Sequence, residues 1–170
     1  MDNEIFYTAK SGNKIAKYVM LGLLGTSFLL VVAACISPKL TGIIWAVALI
    51  FITATIYVYN RYVASEYRYG ITNDGGVPTF TVSMQLGKTS RVMARINLSS
   101  ITEVRKMSRE EYRAYKPERG VLKFPYFPTM FAECVYLVSS RSEYETADIV
   151  IEADETFAEA LRSSVEAKDQ

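Results

Sequence analysis

Gly87, Lys88 and Thr89 carry the letters that close a nucleotide-binding P-loop, where backbone N–H groups cradle phosphates and the lysine reaches them. That chemistry needs a glycine five residues before Gly87, and the position holds Val82. It also needs a helix opening at the lysine. The residues from Arg91 to Ile96 instead alternate like a strand, and so do Phe80 to Leu86. Two alternating runs around a connector that contains glycine read as a β-hairpin. Lys88, Arg91 and Arg95 therefore mark a basic hairpin tip, not a nucleotide site.

Other routes to catalysis are closed. The chain has no histidine, which removes the commonest general base and metal ligand, together with every Ser-His-Asp, Cys-His and HExxH arrangement. Glu110-Glu111 and Asp154-Glu155 fall at expected helix starts, where negative charge favours the helix dipole. Cys134 has neither an activating base nor a helix N-terminus beside it. The chain has only two cysteines, Cys35 and Cys134, which form no disulfide framework and no metal-ligand spacing. The expectation is no catalytic residue, no metal and no cofactor.

The elements around these residues begin with a membrane segment. Tyr18 to Ile36 and Leu40 to Asn60 carry no charge, and each approaches the roughly 20 residues a spanning helix needs. Only Ser37-Pro38-Lys39 separates them, and Pro38 cannot continue the first helix. The reading is a transmembrane hairpin over residues 18–60, against the alternative of a buried soluble hairpin. Lys10, Lys14 and Lys17 precede it, Arg61 and Arg68 follow it, and the loop has Lys39 alone. This bias predicts a multi-pass protein of the plasma (inner) membrane with both termini cytoplasmic, residues 1–17 being a cytoplasmic tail.

Small residues fall on stripes of both helices: Gly22, Thr26 and Ala33 on the first, Gly42, Ala46 and Thr53 on the second. Such stripes let helix backbones approach, either within the hairpin or between copies. Val32-Ala33-Ala34-Cys35 also fits a lipobox ahead of a lipidated cysteine. The second span that follows at once favours an ordinary membrane cysteine.

From residue 64 the pattern becomes a small β-rich domain. Glu66 to Thr72 reads as a strand and Asn73-Asp74-Gly75-Gly76 as a turn. The Phe80–Asn97 hairpin and a strand from Ile101 follow. Ser108 and Glu111 form a capping box for a short helix stopped by Pro117. Pro117 to Met130 reads as irregular. Cys134 to Ser139 and Asp148 to Glu152 read as paired strands. Asp154 caps a final amphipathic helix with Phe157, Ala160, Leu161 and Val165 on its apolar face.

The run YRYGITNDGG…FTVSMQLGKTSRVMARINLSSITEV resembles the opening of bacterial pleckstrin-homology-like (PH-like) domains. Tyr69, Ile71 and Thr72 fit the first element. Gly87, Lys88 and Arg91 fit the second. Ile96, Leu98, Ser99, Ile101 and Val104 fit the third. The closing IVIEADETFAEALRSSV is similar to the family's last strand and helix. The resemblance implies an α+β membrane protein: the helical hairpin, then a PH-like β-barrel or bent sheet closed by a C-terminal helix over residues 64–170. It implies no particular ligand, and the insert from Pro117 to Pro128 departs from the pattern.

Charge is divided along the chain. Basic residues dominate from Lys88 to Lys123 and acidic ones from Glu133 onward, although the net charge is only +1. A domain tethered below a bilayer meets anionic head groups, each nearby Lys or Arg gaining about 1 kcal/mol. Lys88, Arg91 and Arg95 are the expected contacts, with Lys123, Phe124, Tyr126 and Phe127 of the insert dipping into the interface. Against this stands a merely solvated surface. The expected partners are anionic membrane lipids, or else further copies or another membrane protein, in which case the chain is an oligomeric scaffold or assembly subunit. No nucleic-acid motif is present.

Overall fold

The computed structural model describes residues 4–9, 14–37, 39–142 and 146–167. It divides into two compact units, one of Met1–Lys10 with Glu66–Gln170, the other of Ser11–Ser65. Lys10, Pro38, Glu143, Glu145, Lys168 and Asp169, used in the charge and loop arguments, lie outside the described residues.

In the second unit α1 (Lys14–Ile36) and α2 (Thr41–Val58) are joined end to end, and a π-helical turn, Tyr59–Val63, extends α2. Both helices are long and apolar enough to cross a membrane. Leu21, Leu24, Phe28 and Leu29 of α1 and Ile43, Leu49, Ile50 and Ile56 of α2 are exposed, an outward apolar surface that water would not favour. Ser27 and Ala34 are buried on α1, and Ala48 and Thr55 on α2. Each pair is one heptad apart, the period of a left-handed helix seam. The hydroxyls satisfy themselves: Ser27 Oγ donates to the Leu23 carbonyl at 2.8 Å and Thr55 Oγ1 to that of Phe51 at 2.8 Å. An apolar surrounding makes such internal partners necessary.

The first unit holds two four-stranded sheets. One has the order β1 (Ile5–Ala9), β2 (Ser65–Asp74), β3 (Val77–Leu86), β4 (Thr89–Asn97). The other has the order β5 (Ile101–Ser108), β7 (Cys134–Arg141), β8 (Thr146–Ile151), β6 (Leu122–Tyr126). Strand β1 is the largest departure from expectation. Residues read as a tail pair antiparallel with β2, Phe6 opposite Gly70 and Thr8 opposite Arg68. One sheet thus takes strands from before and after the helix pair.

Alternation builds the core. Tyr67, Tyr69 and Ile71 of β2 and Phe80 and Val82 of β3 face Tyr136 and Val138 of β7 and Ile149 and Ile151 of β8. Helix α4 (Glu155–Glu166), whose Asp154 side chain accepts from Phe157 N–H at 2.8 Å, adds Phe157, Ala158 and Leu161. Ala158, not Ala160, is the buried alanine. Tyr69 bridges the sheets: its hydroxyl donates to the Tyr126 carbonyl at 2.5 Å and accepts from Glu152 N–H at 3.3 Å.

Among the described residues the sheets do not close into a barrel: β4 and β6 are both sheet edges. Pro125 in β6 lacks the N–H that further pairing would use. The segment read as irregular is therefore partly ordered, β6 lying parallel to β8. Helix α3 (Arg109–Ala114) begins at the anticipated capping box of Ser108 and Glu111. With the insert it covers the outer face of the second sheet, where Met107, Phe127, Ala132, Val135, Leu137 and Val150 form a second cluster.

Candidate functional site: the bare face of the first sheet

Gly87 and Lys88 form the loop between β3 and β4. Gly87 takes φ 60°, a left-handed value open to glycine, so the expected hairpin tip is a tight turn with Lys88 exposed. Arg91 and Arg95 are exposed too, but the fold separates them. Arg95 lies opposite Thr81 and Arg91 opposite Met84, with a β-bulge between Val82 and Ser83. Residues four apart on a regular strand share a face. The bulge inserts one residue and reverses that parity. Arg91 stands on the Met84 side, which faces the core, and Arg95 on the outer side.

What the outer face brings together is different. Arg68, Gly70 and Thr72 of β2, Thr81 and Ser83 of β3, and Ser90 and Arg95 of β4 line an open depression of about 240 Å³, with Phe6 of β1 at its side. Its construction starts at Gly70. A Cβ there would come within 2.6 Å of the Phe6 ring, so only glycine lets the ring lie against the sheet. The Arg68 guanidinium in turn sits over that ring, 4.2 Å from its centroid. Arg68 takes part in no ion pair among the described residues. Arg95 is held by Asp74 at 2.6 Å, both side chains more than half exposed. Two guanidiniums with hydroxyls between them suit an anion with several acceptor oxygens.

The insert does not supply the expected interfacial residues. Phe127 is buried in the second cluster. Phe124 and Tyr126 stack on each other and pack against the main core. Lys123 is half-buried over the Tyr112 ring, 4.0 Å from its centroid, and burial lowers its pKa. The physical reason is that β6 joins a sheet, so its side chains alternate into two packed layers instead of projecting as a loop.

Beneath that cover Asp148 is fully buried. It accepts from Ser139 Oγ at 3.0 Å, from the Arg141 guanidinium at 2.9 Å and from the Tyr115 hydroxyl. Burial pushes its carboxyl up, but these hydrogen bonds together outweigh burial and hold it below the ordinary range. Burial and the same carboxylate push the Tyr115 hydroxyl up to about 12. Among the described residues no buried side-chain polar atom lacks a hydrogen-bond partner, so the cluster reads as a structural latch. No cluster of three or more metal-ligating side chains occurs among the described residues.

On the helices Gly22, Thr26, Gly42, Ala46 and Thr53 are exposed and lie off the buried seam, while Ala33 is half-buried. The named stripe residues do not close the hairpin. Cys35 is exposed in the last turn of α1. Lipidation there would need cleavage ahead of it and would strip β1 from the first sheet, so the fold speaks against it.

Sequence reasoning missed Arg68 and Phe6. The signal was present in the alternation of β2, which puts Arg68, Gly70 and Thr72 outward whenever Tyr67, Tyr69 and Ile71 point in. A family model described as a bacterial PH-like domain (DUF6106) matches residues 4–168, including β1 and both helices. No curated protein matches the chain, and no solved structure does.

Proposed function

The chain belongs to this family of bacterial PH-like domains, and on that premise we propose that it is a non-catalytic membrane protein. Its domain, anchored by the helix hairpin, binds anionic lipid head groups on one side of the bilayer. The observation that carries the reading is the pairing of β1 with β2. The chain leaves the sheet, runs through two helices each able to span a membrane, and returns to the same sheet. A folded domain does not straddle a bilayer, which supports an even number of crossings with β1 and β2 on one side. Lys14, Lys17 and Arg61 make that side the cytoplasm. The domain thus stays near an anionic leaflet, with Lys88 and Arg91 exposed at its hairpin tip.

A fluorophore at Thr89→Cys, in full-length protein with Cys35 and Cys134 changed to serine, tests this in lipid nanodiscs carrying nitroxide-labelled head groups. Quenching should rise when anionic lipid replaces neutral lipid. It should fall at high salt, since the Debye length shrinks from about 10 Å at 0.1 M to about 3 Å at 1 M. It should also fall in Lys88→Glu/Arg91→Glu. Equal quenching in both lipids would sink the lipid reading. The alternative, an oligomeric assembly subunit, draws on Gly22, Thr26, Gly42 and Ala46, which are exposed and so open to another helix. It predicts detergent-stable oligomers that disperse in Gly22→Leu/Gly42→Leu.

A further inference from the structure

We propose that the depression on the outer face of the first sheet binds a phosphate monoester group, held between Arg68 and Arg95. The proposal rests on and deepens the lipid reading by giving the domain a defined headgroup site, built on Arg68 and Arg95 and not on the Lys88 and Arg91 of the hairpin tip.

Three features of the depression select this chemistry. First, its charge is cationic and its lining polar: two guanidiniums, with Thr72, Thr81, Ser83 and Ser90 presenting hydroxyls. A phosphate monoester carries close to two negative charges at neutral pH and three acceptor oxygens, enough to engage both guanidiniums and a hydroxyl at once. A carboxylate has two oxygens and one charge, and would leave one flank unmet. Second, the Phe6 ring lies against Gly70 and closes one side of the depression, leaving a space of about 240 Å³. That volume takes a phosphate and a few polar atoms. An acyl chain would find only Phe6 as an apolar neighbour. Third, the two arginines are prepared differently. Arg68 is stacked on the Phe6 ring at 4.2 Å and in no ion pair among the described residues, so its fork is oriented with its donors uncommitted to a carboxylate. Arg95 is held by Asp74 at 2.6 Å, an exposed pair that contributes little by itself. An incoming phosphate would exchange for Asp74. Phe6 is a positioning residue, and it comes from the strand ahead of the helices.

The phosphate has two possible sources, the headgroup of a lipid such as phosphatidic acid or a free phosphorylated small molecule. Full-length protein in neutral phosphatidylcholine nanodiscs is titrated calorimetrically with inorganic phosphate and with glycerol 3-phosphate. In parallel, hydrogen exchange of β2 and β4 is compared in nanodiscs containing phosphatidic acid and in nanodiscs containing phosphatidylglycerol, whose phosphate is a diester. Saturable binding of either soluble probe supports a free-ligand site. Protection of β2 and β4 with phosphatidic acid but not phosphatidylglycerol supports a lipid headgroup site. In either case Arg68→Gln and Arg95→Gln should each weaken binding about tenfold or more, as loss of a charged hydrogen bond does. Asp74→Asn should strengthen it, because Arg95 is released. Phe6→Leu should weaken it less than Arg68→Gln.

Absence of probe binding together with equal protection in both acidic lipids would overturn the proposal. Binding unchanged in Arg68→Gln and Arg95→Gln would overturn it too. Quenching at the Thr89 position that survives either result would show that the tip still reads the membrane, so failure of this site and failure of the lipid reading are separable.

Discussion

The two sheets of the domain have the same number of strands and opposite outer faces. On the second, α3 and the insert bury Phe127, Val135 and Leu137, and the one charged group at its centre, Asp148, has every partner it needs. On the first, Arg68, Thr72, Thr81 and Arg95 line an open depression. Strands β7 and β8 accordingly read as apolar on both sides, whereas β2 alternates. A covered face spends its polar groups on holding the cover. A face that keeps two arginines among hydroxyls has polar groups left for something else.

The largest way to break this contrast is Asp148→Ala. It leaves Arg141 facing a hole in a buried network, and we expect a loss of about 3–5 kcal/mol in denaturant unfolding. Hydrogen exchange should rise in α3 and the insert first. An unaltered midpoint would mean the latch does not hold the second sheet. Next, Gly70→Val should drive the Phe6 ring off the first sheet, at a cost of about 1–3 kcal/mol in thermal unfolding, and loosen β1 selectively. Tyr69→Phe removes the hydroxyl that joins the Tyr126 carbonyl to Glu152 N–H and should cost about 1–2 kcal/mol by the same measurement.

The latch also has a pH window. Asp148 is held low, so its contribution is full above the ordinary carboxyl range and is lost as pH falls below about 4. Tyr115 is raised to about 12, so its contribution is full below about pH 10 and is lost as pH climbs from there toward 12. Exchange protection of α3 should therefore be level between these limits and fall outside both. The smallest stability effect belongs to the bare face: Arg95→Gln should change stability by less than about 1 kcal/mol, because its pair with Asp74 is exposed. A large loss there would make the bare face structural and erase the contrast.

How much of this was readable in the chain depends on how local the cause is. The capping box at Ser108, the Asp154 cap and the turn at Gly75-Gly76 are decided within a few residues, and each stands where the sequence puts it. The helices announce themselves by length and lack of charge. Strand β1 does not, because Ile5–Ala9 is short and its partner β2 lies beyond both helices. Only a non-local pairing makes it a strand. Strand β6 was hidden by Pro125, which an edge position tolerates. The basic cluster failed for a subtler reason. Arg91 and Arg95 have the right spacing for one face, and a single extra residue at the bulge parts them. Arg68 was available by parity alone, but nothing in its own strand pairs it with Phe6. Of the small residues on the helices, Ala16, Ser27, Ala34, Ala48 and Thr55 are the buried ones, whereas the stripe of Gly22, Thr26, Gly42 and Ala46 is exposed.

The central claim is that the first sheet is the working face and the second is closed. Hydrogen exchange of the full-length protein, compared between neutral and anionic nanodiscs, tests it most directly. Protection should increase over residues 66–97 in the anionic lipid and stay the same over residues 101–142. Changes centred on α3 and the insert, or none anywhere in the domain, would contradict it.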